Sequence, residues 1–179
     1  MSSIYPSELP KEILNDPYRR AEVKLFTALN NSKLFSTTNI YYSASWINKG
    51  TNKNRQRDGE CDFILTDKDY GIIFIEVKGG EISKDENNQW YSGKKEIKNP
   101  IQQCNKNMYF FMDEYKRRWK DKHLNDNYPS FFYDSYAFFP DVNYKNKEYL
   151  GAAYDKSKFG FRDNLDSIEE KILSFFLEG

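Results

Sequence analysis

Residues 59–80 read "GECDFILTDKDYGIIFIEVKGG": two apolar runs either side of the polar turn "DKDYG". Runs of this length, rich in Ile, Phe and Val and closed by turn residues, predict paired strands over 61–66 and 72–78. A connection of the five residues 67–71 sets Thr66 opposite Ile72, Ile64 opposite Phe74, Phe63 opposite Ile75 and Asp62 opposite Glu76. Side chains alternate along a strand. One face therefore takes Phe63, Leu65, Ile73 and Ile75, and the other takes Asp62, Ile64, Phe74, Glu76 and Lys78.

Glu and Lys inside such an apolar strand need an explanation, because a desolvated charge is costly unless paired. Directly opposed side chains in an antiparallel pair have Cβ atoms about 4.5–5.5 Å apart. Two carboxylates at that range repel by roughly 4 kcal/mol at an effective dielectric of 20. The repulsion is relieved when one acid keeps its proton or when a cation sits between the two. A hard divalent ion, held by one or two carboxylates with room left for phosphate, meets that demand. The alternative is a register shifted by one residue, which separates Asp62 from Glu76 and leaves Glu76 and Lys78 solvated on an edge strand.

The rest of the chain frames this hairpin. "NDPYRRAEVKLFTALNN" predicts a helix capped by Asp16, with Pro17 in its first turn. Tyr18, Glu22, Leu25 and Leu29 form its stripe, so Glu22 is a third acid where an apolar residue is expected. "TTNIYYSASWI" predicts a strand, and residues 48–60 are expected to form a polar loop. "EISKDENNQWYSG" reads as an exposed excursion with a hairpin. Asn99 and Pro100 open a second helix whose stripe is Ile101, Cys104, Met108, Phe111 and Tyr115. "DSYAFFPDV" predicts a strand, and "NLDSIEEKILSFFLEG" a last amphipathic helix. This order predicts an α/β domain with a mixed sheet flanked by helices. The 179 residues fit one domain over 1–179, either whole or the front of a longer protein.

Composition removes several chemistries. A single histidine, His123, excludes any zinc site built on two histidines and leaves a His-centred triad only one residue to rest on. Carboxylates and lysines must carry any catalysis. Lys plus Arg and Asp plus Glu both number 27, so only local patches can attract a charged partner. Cys61 and Cys104 lack metal-finger spacing and fit a reduced, cytoplasmic protein. No apolar run reaches the length of a membrane span.

Glu22, Asp62, the E-x-K of Glu76 and Lys78, and the P-x-x-Q of Pro100 and Gln103 together resemble the PD-(D/E)xK nuclease superfamily. The wording "GECDFIL…GIIFIEVKGG", "W…IKNPIQQ" and "AFFPDV" resembles its nuclease-related domain family, from about Ala21 to Val142. Cys61 stands where the superfamily name has Pro. The resemblance implies a restriction-endonuclease-like core and hydrolysis of DNA phosphodiester bonds with Mg²⁺ or Mn²⁺. It also implies association with a DNA helicase and a role in bacterial DNA processing or defence. It makes Asp62, Glu76 and the Val77 carbonyl metal ligands, with Glu22 completing the shell. Lys78 then acts on the attacking water, and Gln103 orients water or phosphate. An inactive DNA- or protein-binding module on the same fold is the alternative. DNA requires positive surface. Lys49, Lys53, Arg55 and Arg57 in the polar loop are its expected contacts, ahead of the basic run Lys116–Lys122. Trp90 and Tyr91 are expected to pack rather than stack on bases.

Overall fold

The computed structural model describes residues 3–34, 36–49, 56–123, 127–143 and 156–177, with backbone only at 46–49, 56–58 and 156. In chain order its elements are β1 (Ser3–Tyr5), α1 (Lys11–Leu14), α2 (Arg20–Asn30), β2 (Asn39–Lys49), β3 (Gln56–Asp67) and β4 (Gly71–Val77). Then come β5 (Ile82–Lys84), β6 (Trp90–Ser92), β7 (Lys95–Ile97), α3 (Pro100–Lys122), β8 (Tyr133–Phe139), β9 (Phe159–Phe161) and α4 (Ile168–Leu177). Six strands form one sheet in the order β1-β2-β3-β4-β8-β9. β2, β3 and β4 are antiparallel neighbours, whereas β1 runs parallel to β2, and β4, β8 and β9 run parallel to one another. The protein is therefore α/β, with a mixed sheet flanked by helices. β5, β6 and β7 make a separate antiparallel sheet of three strands.

The β3–β4 turn sets the register. The Asp67 carboxylate accepts the Asp69 N–H at 2.9 Å and the hydroxyls of Thr37 and Thr38, both at 2.8 Å. Gly71 closes the turn at φ +107°, where a Cβ would lie 2.1 Å from the Phe132 carbonyl oxygen. Only glycine combines that backbone angle with that contact. The pairs that follow are Thr66–Ile72, Leu65–Ile73, Ile64–Phe74 and Phe63–Ile75, the register read from the sequence.

Phe63, Leu65, Ile73 and Ile75 pack beneath Leu25 and Leu29 of α2 and Ile172 and Phe175 of α4. Ile64 and Phe74, on the reverse face, meet Cys104, Met108 and Met112 of α3 with Cys61. β4 is covered on both faces, which accounts for its nearly continuous apolar composition. Trp90, in the small sheet, is buried against Phe139 and Phe159 in a third cluster that also takes Ile101. It packs rather than presenting a ring to solvent. Among the described residues, no helix is long and apolar enough to cross a membrane.

Some elements differ from the sequence reading. Asp16 does cap, accepting the Tyr18 N–H at 2.8 Å, but Pro17–Arg19 form a 3₁₀ turn before α2 begins. Tyr18 consequently leaves the predicted stripe and is 93% exposed, while Ala21 and Phe26 join Leu25 and Leu29 in the core. Of the expected loop over 48–60, residues 48–49 belong to β2 and 56–60 to β3, and 50–55 lie outside the described residues. Ladder hydrogen bonds sustain these extensions without any apolar signature. The predicted last helix begins only at Ile168, after a 3₁₀ turn at Arg162–Asn164.

Candidate active site

The main sheet opens at Asp62. β2 and β3 pair through Tyr42–Phe63 and again through Ala44–Cys61, with no rung between Ser43 and Asp62. Ser43 is left-handed there, at φ +49°. On the other side the β3–β4 ladder ends at Phe63–Ile75. Beyond it the Val77 N–H donates to Asp62 Oδ2 at 2.7 Å, so a side chain takes over from the backbone ladder.

Glu76 sits on β4 beside Ala137 of β8 and is only 2% exposed. Its Oε1 accepts from Lys78 Nζ at 2.6 Å and from Gln103 Nε2 at 2.5 Å. Gln103 reaches it because Asn99 caps α3, accepting the Gln102 N–H at 3.2 Å, and so fixes the first turn of the helix over the sheet. Lys78 is set by its own N–H, which donates to the Phe138 carbonyl at 3.0 Å. The site thus draws on β3, β4 and α3, with β8 as a brace.

Burial, and then repulsion from Glu76, push the Asp62 carboxyl up to about 8, against the Val77 N–H, which favours its anion. Burial also raises Glu76, and Lys78 opposes that rise. Two neighbouring acids that resist ionisation are a place where a cation is favoured.

Glu22 is oriented differently. Its Oε2 accepts from the Tyr42 hydroxyl at 2.6 Å and from Arg19 at 3.4 Å. Its charge still reaches the site, raising both Asp62 and Glu76. Burial and the Glu22 hydrogen bond hold the Tyr42 phenol up at about 12, so it is the donor in this pair. Among the described residues, no three His, Cys, Asp or Glu side chains lie close enough to cage a metal ion. Asp62 and Glu76 offer carboxylate oxygens only. That set fits Mg²⁺ or Mn²⁺, which use few protein ligands and keep positions for water and phosphate.

Asp62, Glu76, Lys78 and Gln103 line a groove of about 990 Å³. Glu60 and Arg19 also line it, and the sequence reading passed over both. Glu60 lies two positions before Asp62 on the same strand face, and Arg19 lies one helical turn before Glu22. Those spacings were the available signals. The expected DNA contacts Lys53 and Arg55 lie outside the described residues, and Lys49 and Arg57 are placed by backbone alone. At the far end of α3, Arg117 and Arg118 are both engaged by Glu114. His123 stacks on Trp119 with centroids 4.1 Å apart, away from the groove. Cys61 and Cys104 are buried free thiols, and burial raises Cys61 well above the ordinary thiol range.

No curated relative and no solved structure matches the chain. The sequence profile of the nuclease-related domain matches residues 19–140, more than half of it. That span holds Glu22, the Asp62–Glu76–Lys78 set and Gln103, and on this match the chain belongs to the nuclease-related domain (NERD) family.

Proposed function

We propose that this protein is a divalent-metal-dependent nuclease that hydrolyses phosphodiester bonds in DNA. The observation that carries the reading is the buried Glu76 carboxylate, bound by Lys78 and Gln103 at one oxygen, beside an Asp62 that resists ionisation. Asp62 and Glu76 would hold Mg²⁺ or Mn²⁺, with the Val77 carbonyl as a further oxygen donor and Glu22 acting through water, since its carboxylate is engaged by Tyr42 and Arg19. A cation bound there supplies a Lewis acid that lowers the pKa of water and offsets charge on phosphate.

The protein's own groups do the rest. The Lys78 ammonium, held at the rim of the site by Glu76, hydrogen-bonds the attacking water and stabilises charge gathering on the phosphoryl oxygens. The Gln103 amide, fixed by the first turn of α3, orients that water or a phosphate oxygen. A helicase acting with this domain is part of the same proposal.

A second reading, a non-cleaving DNA-binding module, draws on one observation: Glu22 is engaged by Tyr42 and Arg19 rather than by the other acids. Plasmid incubated with the protein and Mg²⁺ or Mn²⁺, with and without chelator, separates the two. Chelator-sensitive nicking is expected. Metal-independent DNA binding with no cleavage would overturn the nuclease reading in favour of the second.

A further inference from the structure

The groove has two walls. One is the opened edge of the main sheet with Asp62, Glu76 and Lys78; the other is the small sheet and the first turns of α3. Among the described residues, four cations line it: Arg19, Lys78, Lys98 and Lys106. Two of these are engaged by acids, Lys78 by Glu76 and Arg19 by Glu22 and Asp16. Lys98 and Lys106 form no ion pair with any described residue; the Lys106 ammonium lies 5.7 Å from the Phe110 ring centre. Glu60 and Glu96 line the groove as well, so a polyanion entering it needs local cations to offset them.

Placement along α3 gives these two lysines a meaning. Lys106 lies three residues beyond Gln103, on the same helix face and about 4.5 Å further along the axis. Successive phosphates of one strand are offset by about 3.4 Å along a duplex axis, so a long, flexible lysine one helical turn from Gln103 reaches a neighbouring one. Lys98 precedes the Asn99 cap, on the other side of Gln103. The two lysines therefore bracket the residue that touches Glu76.

We propose that Lys98 and Lys106 form a backbone-binding site for nucleic acid, taking the phosphates on either side of the one presented to Glu76 and Lys78. This rests on the nuclease reading and adds to it where the strand runs: along the start of α3 and past the small sheet. The site reads charge and spacing rather than bases, so it is sequence-independent.

The test uses the Asp62→Asn protein with chelator, so that the probe stays intact. Binding of a short fluorescein-labelled DNA oligonucleotide, single-stranded and as a duplex, is followed by anisotropy over a salt series. Adding Lys98→Gln or Lys106→Gln is expected to weaken binding several-fold. Each should also reduce the slope of log affinity against log salt by about 0.7 to 0.9, one phosphate contact. Glu96→Gln should move affinity the opposite way, and Lys68→Gln, in the β3–β4 turn at the other end of the hairpin from Asp62, should change neither quantity. Thermal melts check that each variant folds. If the parent binds and both lysine variants keep its affinity and slope, this inference is wrong while the nuclease reading stands. If the parent binds neither probe and wild-type protein cuts no plasmid, both fail together.

Discussion

Asp62 shows how one side chain can oppose the fold that positions it. Its carboxyl titrates near 8 in the folded protein, whereas in an unfolded chain it titrates near the usual 3.8. Below the lower value both states are protonated and the residue is neutral for stability. Between the two, the unfolded chain releases the proton first, so the native state loses stability as pH rises, most fully above about 8. Asp62→Asn removes that penalty while keeping shape. In metal-free buffer the variant should melt with or above the parent, with the gap widest near pH 8 and closing towards pH 4. A parent that melts higher than Asp62→Asn at pH 8 contradicts this. Lys78 behaves oppositely, since Lys78→Ala leaves the buried Glu76 with Gln103 as its remaining side-chain donor. A loss of about 1–3 kcal/mol is expected. The Mn²⁺-induced rise in melting temperature should survive, because Lys78 is not an oxygen donor. Loss of that rise would place Lys78 in the metal site itself.

Among the elements, α3 serves two purposes at its two ends. Its start presents Gln103 to the site, and near its end Glu114 is clamped by Arg117 and Arg118. The Arg117 hydrogen bond comes first among the causes that lower the Glu114 carboxyl to about 2. A depressed carboxylate adds stability above its unfolded value near 4.5, and that stability fades as pH falls from there towards 2. Arg118 is largely exposed, so solvent screens the pair and the gain is small. Glu114→Gln should lower the melting temperature slightly at pH 7 and leave it unchanged near pH 2, as acid-series melts would show. An equal cost at both would contradict the assignment.

The elements also show where the sequence was readable. The β3–β4 register followed from apolar alternation and a turn of fixed length, and the caps at Asp16 and Asn99 followed from residue type. β1 and β9 were missed, because three residues such as "SIY" or "FGF" carry no period and are strands only through their neighbours. Tyr18 was misplaced, since the stripe assumed an α-helical first turn that is 3₁₀. Glu60 and Arg19 were hidden because polar residues at a groove rim look like ordinary solvated surface. The orientation of Glu22 towards Tyr42 depends on a contact twenty residues away, which no local pattern encodes.

For the molecule as a whole, the two sheets must hold a fixed relation if the groove between them is to keep its shape. The turn at Gly79–Gly80 joins them. The Gly80 N–H donates to Asp141 Oδ2 at 2.7 Å, Ser92 Oγ donates to the Gly79 carbonyl at 2.7 Å, and Lys24 pairs with Asp141. Gly80 holds φ +85°, and a Cβ there would lie 2.6 Å from Ser92 Oγ. Asp141 thus ties α2, the end of β4 and, through Ser92, the small sheet. Asp141→Ala should leave the main sheet folded while raising amide exchange across residues 79–97 and slowing cleavage. Unchanged exchange there would show that apolar packing under Trp90 alone holds the small sheet.

Asp62, Glu76 and Lys78 are proposed to form a metal-dependent hydrolytic site. Its most direct test is the initial rate of supercoiled-plasmid nicking in saturating Mn²⁺, measured for the parent and Asp62→Asn side by side. The parent should nick, chelator should stop it, and the variant should fall by at least about 10²-fold, the scale for removing a group that acts in the transition state. An Asp62→Asn protein that nicks at the parent rate would contradict the account.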